Sequence, residues 1–236
     1  MKFEGKNAVS EILKSDKAIN NILISNTINR NSITEIIKLA KNRNVKYQFV
    51  DNNVLKKMSE TNNHQGIIAI AEDFKYSELD EVIKNQDKPL CLLILDGIED
   101  PHNFGSIIRS AECFGVDGII IQKNRACQVT ETVIKTSAGA ISHVKIIRVT
   151  NINSTIESLK KQNFWVYGLE LGGRPIAEVD FSGNIAVVIG SEGKGTKMQT
   201  KSLCDEIVTL DLKGKVNSLN ASVATGIGLY EITRNR

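Results

Sequence analysis

From residue 90 onward the chain carries six short, nearly unbroken apolar runs, at 92–95, 118–121, 144–149, 164–167, 185–189 and 206–210. A strand with one solvated face alternates apolar and polar residues, so runs like these predict strands covered on both faces. Helical patterns fall between them, at 104–114, 130–138, 154–160, 198–204 and 221–233. The alternation predicts an open α/β sheet of parallel strands, and such sheets bind their ligands beyond the carboxyl ends of the strands. The loops that leave those ends are where chemistry is to be sought.

Ahead of this region, residues 8–13 and 33–40 read as amphipathic helices, and 22–24, 45–50 and 67–71 as strands, which together predict a smaller α/β unit. Residues 1–75 hold twelve Lys/Arg against eight Asp/Glu, 76–88 hold two against four, and 89–236 hold sixteen against fifteen. The basic excess therefore lies in the first unit, where Lys38, Lys41, Arg43 and Lys46 are candidate phosphate contacts, although a solvated helix face explains them nearly as well. The polar stretch 72–89, with one short helix, reads as a connector. These boundaries give a domain at 1–75, a linker at 76–89 and a second domain at 90–236. A chain of 236 residues is long enough for two cores, and 41% hydrophobic with 24% charged residues excludes disordered and fibrous classes. The net charge of +3 is too small to name a polyanionic partner for the chain as a whole.

Cys91, Cys113, Cys127 and Cys204 are far apart, and no two have the short spacing of a zinc site. With no apolar block at the start and no run near the ~20 residues that span a bilayer, the expectation is a reduced, cytoplasmic protein without a membrane segment. His64, His102 and His143 are scattered, and no metal is expected.

Three loops stand out. The first, after the run at 92–95, contains Asn103-Phe104-Gly105-Ser106-Ile107-Ile108-Arg109. An Asn here is suited to capping the following helix, which is its simplest role. Arg109 interrupts an apolar helix, where a guanidinium must reach solvent, a carboxylate or a phosphate. The second, after 185–189, is Gly190-Ser191-Glu192-Gly193-Lys194-Gly195-Thr196-Lys197, whose glycines let backbone approach a ligand closely. Its glycine spacing matches a triphosphate loop, but Thr196-Lys197 reverses the required Lys-Ser/Thr order and Glu192 would repel phosphates, which leaves a tight turn or another ligand. The third includes Asn217-Ser218-Leu219-Asn220-Ala221-Ser222-Val223-Ala224, in which Ser218 and Asn220 are placed to cap a helix. Small residues recur there in the pairs Ala221/Thr225, Ser222/Gly226 and Ala224/Gly228, a pattern that suits a core or a subunit contact. Gly226 and Gly228 would each cost about 1 kcal/mol in a helix interior, so close packing must compensate.

Together, in this order, these three loops resemble the motifs of the SpoU/TrmH family of RNA ribose 2′-O-methyltransferases. Gly5-Lys6-Asn7-Ala8-Val9 and His64-Gln65-Gly66 are similar to the start and end of that family's small RNA-binding domain, so the resemblance covers essentially the whole chain. It is closest to the subgroup that modifies a guanosine of 23S ribosomal RNA. It implies a small, ribosomal-protein-like α/β RNA-binding domain followed by an α/β-knot methyltransferase domain with a C-terminal trefoil knot. It further implies S-adenosylmethionine as cofactor, contacted by Gly190, Leu210 and Leu219, with Leu169 a further candidate. Arg109 is implied as base or phosphate clamp at the target ribose, with Asn103, Glu192, Ser218 and Asn220 positioning it and the substrate. The implied partners are ribosomal RNA, with transfer RNA the alternative, and a second copy through the knotted domain. Where many relatives have Pro-Met this chain has Asp211-Leu212. A catalytically silent RNA-binding protein on the same fold is the reading from another functional class.

Overall fold

In a computed structural model the described residues are 1–15, 18–59, 63–84, 88–193, 195–214, 218–234 and 236. They divide into two units, Met1–Lys75 and Tyr76–Arg236. The first contains β1 (Lys2–Glu4), α1 (Lys6–Lys14), β2 (Ile19–Ser25), α2 (Thr34–Asn42), β3 (Tyr47–Val50), α3 (Asn52–Met58) and β4 (Ile67–Ala71). Its sheet has the order β1-β4-β2-β3, with β2 parallel to β3 and antiparallel to β4. The strand β1 and the helix α3 carried no sequence signal, being three and seven residues long, too short to show a period. Arg43 is half-buried and donates from Nη1 to the carbonyls of Ile12 and Leu13 at the end of α1, so it works inside the unit, unlike the exposed Lys38, Lys41 and Lys46.

The second unit begins with α4 (Leu79–Ile83) and continues β5 (Cys91–Asp96), α5 (Pro101–Cys113), β6 (Gly118–Gln122), α6 (Glu131–Thr136), β7 (Lys145–Val149) and α7 (Ile152–Lys161). It ends with β8 (Trp165–Pro175), β9 (Ile185–Gly190), α8 (Met198–Leu203), β10 (Glu206–Thr209) and α9 (Ala221–Thr233). The six strands form one sheet in the order β10-β8-β9-β5-β6-β7, and every neighbouring pair is parallel. All carboxyl ends therefore lie along one edge. On one face Leu92, Ile94, Ile120, Ala186 and Val188 pack against Ile152, Ile156 and Leu159 of α7 and Val82 of α4. Phe104, Ile107, Ile108 and Ala111 give α5 its buried side, and α5 packs on α6 and α9. The unbroken apolar runs of the sequence are thus strands sandwiched between helices.

One strand is much longer than its apolar run. β8 continues to Pro175, and its pairing with β10 jumps from Gly168↔Ile207 to Arg174↔Val208. Residues 169–173 form the excursion between those pairs, where Glu170, Gly172 and Gly173 interrupt the apolar pattern that marked the strand at 164–167. Gly173 is needed there, since a Cβ would strike the Ile207 carbonyl. Among the described residues no helix is long and apolar enough to cross a membrane.

Candidate functional site

The loop after β5 turns into α5 through Asp100-Pro101. Proline suits the first helical position because its missing N–H would be unpaired there anyway, and it makes Asp100 the cap. Asp100 Oδ1 accepts from the backbone N–H of Asn103 at 2.7 Å. Asn103 is therefore not the cap its residue type suggested. Its amide is free to face outward, and Nδ2 donates to Glu192 Oε2 at 3.1 Å, across 89 residues of sequence.

Asn220 does cap α9. Its Oδ1 accepts from the N–H groups of Ser222 and Val223 at 3.0 and 3.4 Å and from Ser222 Oγ at 2.6 Å. Its Nδ2 meanwhile donates to Asn103 Oδ1 at 2.9 Å and to Glu192 Oε1 at 3.4 Å. Asn103, Glu192 and Asn220 thus close a three-membered network from the loops after β5, β9 and β10, at an exposed rim on the carboxyl edge of the sheet.

Gly190 ends β9 opposite Asp96 of β5. The loop beyond it folds back tightly: Ser191 and Gly195 exchange backbone hydrogen bonds at 2.9 and 3.1 Å. A Cβ on Gly190 would collide with the backbone of Gly195 and Thr196. Two carboxylates that sequence reasoning gave no role hold this loop. Asp96, whose side chain is 1% exposed, binds Lys197 Nζ at 2.6 Å and the Lys197 N–H at 3.2 Å. Glu170, from the β8 excursion, accepts from the Thr196 N–H at 3.2 Å and pairs with Lys201 at 2.8 Å. A signal existed for Asp96, a charge closing an otherwise apolar strand; Glu170 had none, because its partners are set by the excursion. Lys194 and Lys215–Asn217 lie outside the described residues.

Of the other sequence-predicted residues, Arg109 lies less than two turns beyond Asn103 on α5, exposed and without a hydrogen bond or ion pair among the described residues. Ser218 and Leu219 are exposed in the segment leading into α9, and Ser218 does not cap it. Leu169 is half-buried at the end of the β8–β9 pairing and fills the space left by Gly228. Leu210 is half-buried just after β10. The small residues of α9 are partly spent within the chain, Gly228 against Leu169 and Gly226 beside Ser110 of α5. What α9 leaves outward is apolar instead: Val223, Ile227 and Tyr230 are 48%, 44% and 52% exposed and line an open groove with Ser106, Ser110 and Phe114 of α5.

A parallel α/β sheet with such loops along its carboxyl edge defines a class of ligand-binding enzyme folds, and comparison with known proteins narrows it. The model of the SpoU rRNA methylase family matches residues 90–230, and a model described as RNA 2′-O ribose methyltransferase substrate binding matches residues 3–77. A protein of Staphylococcus saprophyticus whose name assigns it to the TrmH family of tRNA/rRNA methyltransferases is 43% identical over 236 residues, covering 98% of this chain and 94% of that protein. Among solved structures, the SpoU methyltransferase AviRb of Streptomyces viridochromogenes in complex with AdoMet aligns with a TM-score of 0.69 at 22% identity, over 100% of this chain and 90% of that one. The AdoMet-bound rRNA methyltransferase of Sinorhizobium meliloti aligns with a TM-score of 0.68 at 23% identity, over 99% and 87%. The chain belongs to the SpoU rRNA methylase family, and it is an RNA methyltransferase.

Proposed function

We propose that the protein transfers a methyl group from S-adenosylmethionine to the ribose 2′-hydroxyl of a guanosine in 23S ribosomal RNA, working as a homodimer. The observation that carries this reading is the Asn103–Glu192–Asn220 network, which joins three loops at the sheet edge, with Arg109, unpaired among the described residues, on the same helix as Asn103. The description of the matched N-terminal model supports the ribose oxygen as acceptor, and the basic excess in residues 1–75 supports a structured polyanion as substrate.

The loops fit the cofactor. Thr196 Oγ1 is buried with no hydrogen-bond partner among the described residues, no side chain rises from Gly190, and exposed Leu171 and Leu219 offer apolar surface to a purine. Gly190, Leu169, Leu210 and Leu219 would hold it, largely through backbone groups, inside the C-terminal knot that the family resemblance implies. When bound, it supplies a methyl group already activated on a sulfonium. The chain must then orient the acceptor oxygen, and good orientation is worth roughly 7–11 kcal/mol of barrier. Glu192, fixed by the two amides, sets the direction of Asn103 and Asn220 at the rim, and Ser218, two residues before Asn220, would add a hydroxyl. Arg109 grips the phosphate next to the target ribose through its guanidinium and favours negative charge growing on the 2′-oxygen. The exposed strip of Val223, Ile227 and Tyr230 is the surface a second copy would cover.

The test is incubation of the full chain with labelled S-adenosylmethionine and unmodified 23S ribosomal RNA or transfer RNA, followed by mass-spectrometric mapping of ribose methylation. A single 2′-O-methylguanosine in 23S RNA is expected; label only in transfer RNA changes the substrate, and no label in either defeats the reading. Arg109→Lys should slow transfer well below the wild-type rate, and light scattering should give twice the chain mass.

A further inference from the structure

We propose that the loop between β6 and α6 is a second phosphate-binding element, in which Lys123 and Arg125, flanked by Arg148, hold the RNA backbone beside the network; this rests on RNA being the substrate, as proposed above. The loop leaves the same edge of the sheet, from the strand adjacent to β5. It is tied directly to the loop that leads to Asn103, because the Cys127 N–H donates to the Ile98 carbonyl at 2.8 Å. A surface that grips the chain of phosphates here lies next to the rim where the ribose must sit.

The loop is built rather than loose. Lys123 N–H donates to the Val149 carbonyl at 2.8 Å, and Gln128 Nε2 donates to the carbonyls of Gln122 and Ala126 at 2.8 and 3.1 Å. The Tyr76 hydroxyl accepts from the Val129 N–H at 3.1 Å, while the Tyr76 ring carries the Arg148 guanidinium 4.3 Å from its centroid. Arg148 stands one position from the end of β7 and is exposed, so stacking fixes its plane without consuming its donors.

The two cations on the loop are engaged by none of the described residues. Lys123 and Arg125 are exposed, and neither has a hydrogen bond or ion pair from its side chain among the described residues. Arg125 also adopts φ 58°, the left-handed region that Gly and Asn occupy at less cost. Strain kept at a side chain with no internal partner points to an external one. The nearest acids in sequence on the neighbouring loop are Glu99 and Asp100, and Asp100 is engaged in capping α5. Three cations with fixed bases and free donors suit a sugar–phosphate backbone, which offers charge at regular intervals and no sequence to read.

Binding of an in vitro transcript of 23S RNA to the full chain, measured between 50 and 200 mM salt, tests this. Arg125→Gly keeps the turn and removes the guanidinium; combined with Lys123→Gln it removes two phosphate contacts. Each contact contributes about 0.7–0.9 to the slope of log affinity against log salt, so the double variant should lose about 1.4–1.8 of slope. Over that fourfold change in salt, its affinity should then fall roughly 7- to 12-fold less than the wild type's. In steady-state methyl transfer the KM for RNA should rise, with kcat and the KM for S-adenosylmethionine within about twofold, and Lys123→Arg should retain the wild-type slope. A double variant with wild-type slope and wild-type RNA KM overturns the proposal while leaving the methyltransferase reading intact. Wild-type protein that neither binds nor methylates the transcript overturns both. Should the double variant melt early, Lys123→Gln alone carries the test, with a slope loss of about 0.7–0.9 expected and none overturning it.

Discussion

Asn220 offers a way to separate a structural role from a functional one, because its two ends do different work. The oxygen caps α9 by accepting from Ser222 and Val223, and the nitrogen bridges Asn103 and Glu192. Asn220→Ser keeps a capping acceptor of nearly equal quality and removes the bridge; Asn220→Ala removes both. Loss of the cap costs about 1 kcal/mol, which for a chain of this length lowers Tm by roughly 2–4 °C. The bridge consists of two hydrogen bonds at an exposed rim, one of them to a carboxylate and long at 3.4 Å. At roughly 0.5–1.5 kcal/mol each they amount to about 1–3 kcal/mol of positioning, or about 5- to 150-fold in kcat/KM, and the exposure argues for the lower half. Asn220→Ser should therefore turn over at least about fivefold more slowly and melt above Asn220→Ala by the roughly 2–4 °C that the cap contributes, whereas Asn220→Ala should show both defects. Differential scanning calorimetry and methyl-transfer assays with saturating cofactor read the two quantities. A serine variant with full activity, or one that loses as much Tm as the alanine variant, would refute the division of labour.

The pair between Asp96 and Lys197 is unequal in burial, the side chains being 1% and 58% exposed, so its two truncations should differ. Lys197→Met leaves a buried carboxylate with a single backbone donor and should cost about 3 kcal/mol in urea denaturation, against about 1 kcal/mol for Asp96→Asn, whose orphaned lysine turns to water; equal losses would sink the argument. Gly190→Ala places a methyl group against the backbone of Gly195 and Thr196, so the loop must move, and affinity for S-adenosylmethionine in calorimetry should drop at least about tenfold. Burial pushes the thiols of Cys91, Cys127 and Cys204 from 9.0 up to about 11, so at pH 8 a thiol reagent should label exposed Cys113 fast and the others slowly. A raised folded value means the unfolded chain loses these protons first, so stability is full below pH 9 and falls as pH rises toward 11, by about 2–3 kcal/mol for Cys91 alone. Flat stability across that window would contradict it.

The parallel sheet was legible because burial on both faces leaves a mark that needs no partner to be read: a run such as Leu92-Leu93-Ile94-Leu95 has no polar position to spare. The β8 excursion was not, because residues 169–173 take their shape from β10 and from the loop at Thr196 rather than from their own pattern. For the same reason composition and spacing gave no hint that Asn103 meets Asn220, which stands 117 residues later. Only the resemblance, which presents the three loops as a set, brought those side chains under one heading.

Asn103 shows what a closer local reading would have added. Residue type alone made it a cap, yet Pro101 had already fixed the helix start one residue after Asp100, whose carboxylate is the better capping group in that place. Once Asp100 takes the N–H of Asn103, the asparagine side chain has no local backbone left to satisfy, and an amide without local employment at the carboxyl edge of a sheet is where a ligand contact should be sought. Asn220 teaches the opposite lesson. Its capping role was correctly legible and says nothing against a second role, since an amide carries an acceptor and two donors and the cap uses only the acceptor. Capping and catalysis compete for a serine or an aspartate at a helix start; an asparagine can serve both, which is why the substitution that tests the site is the one that supplies a capping oxygen and removes the amide nitrogen.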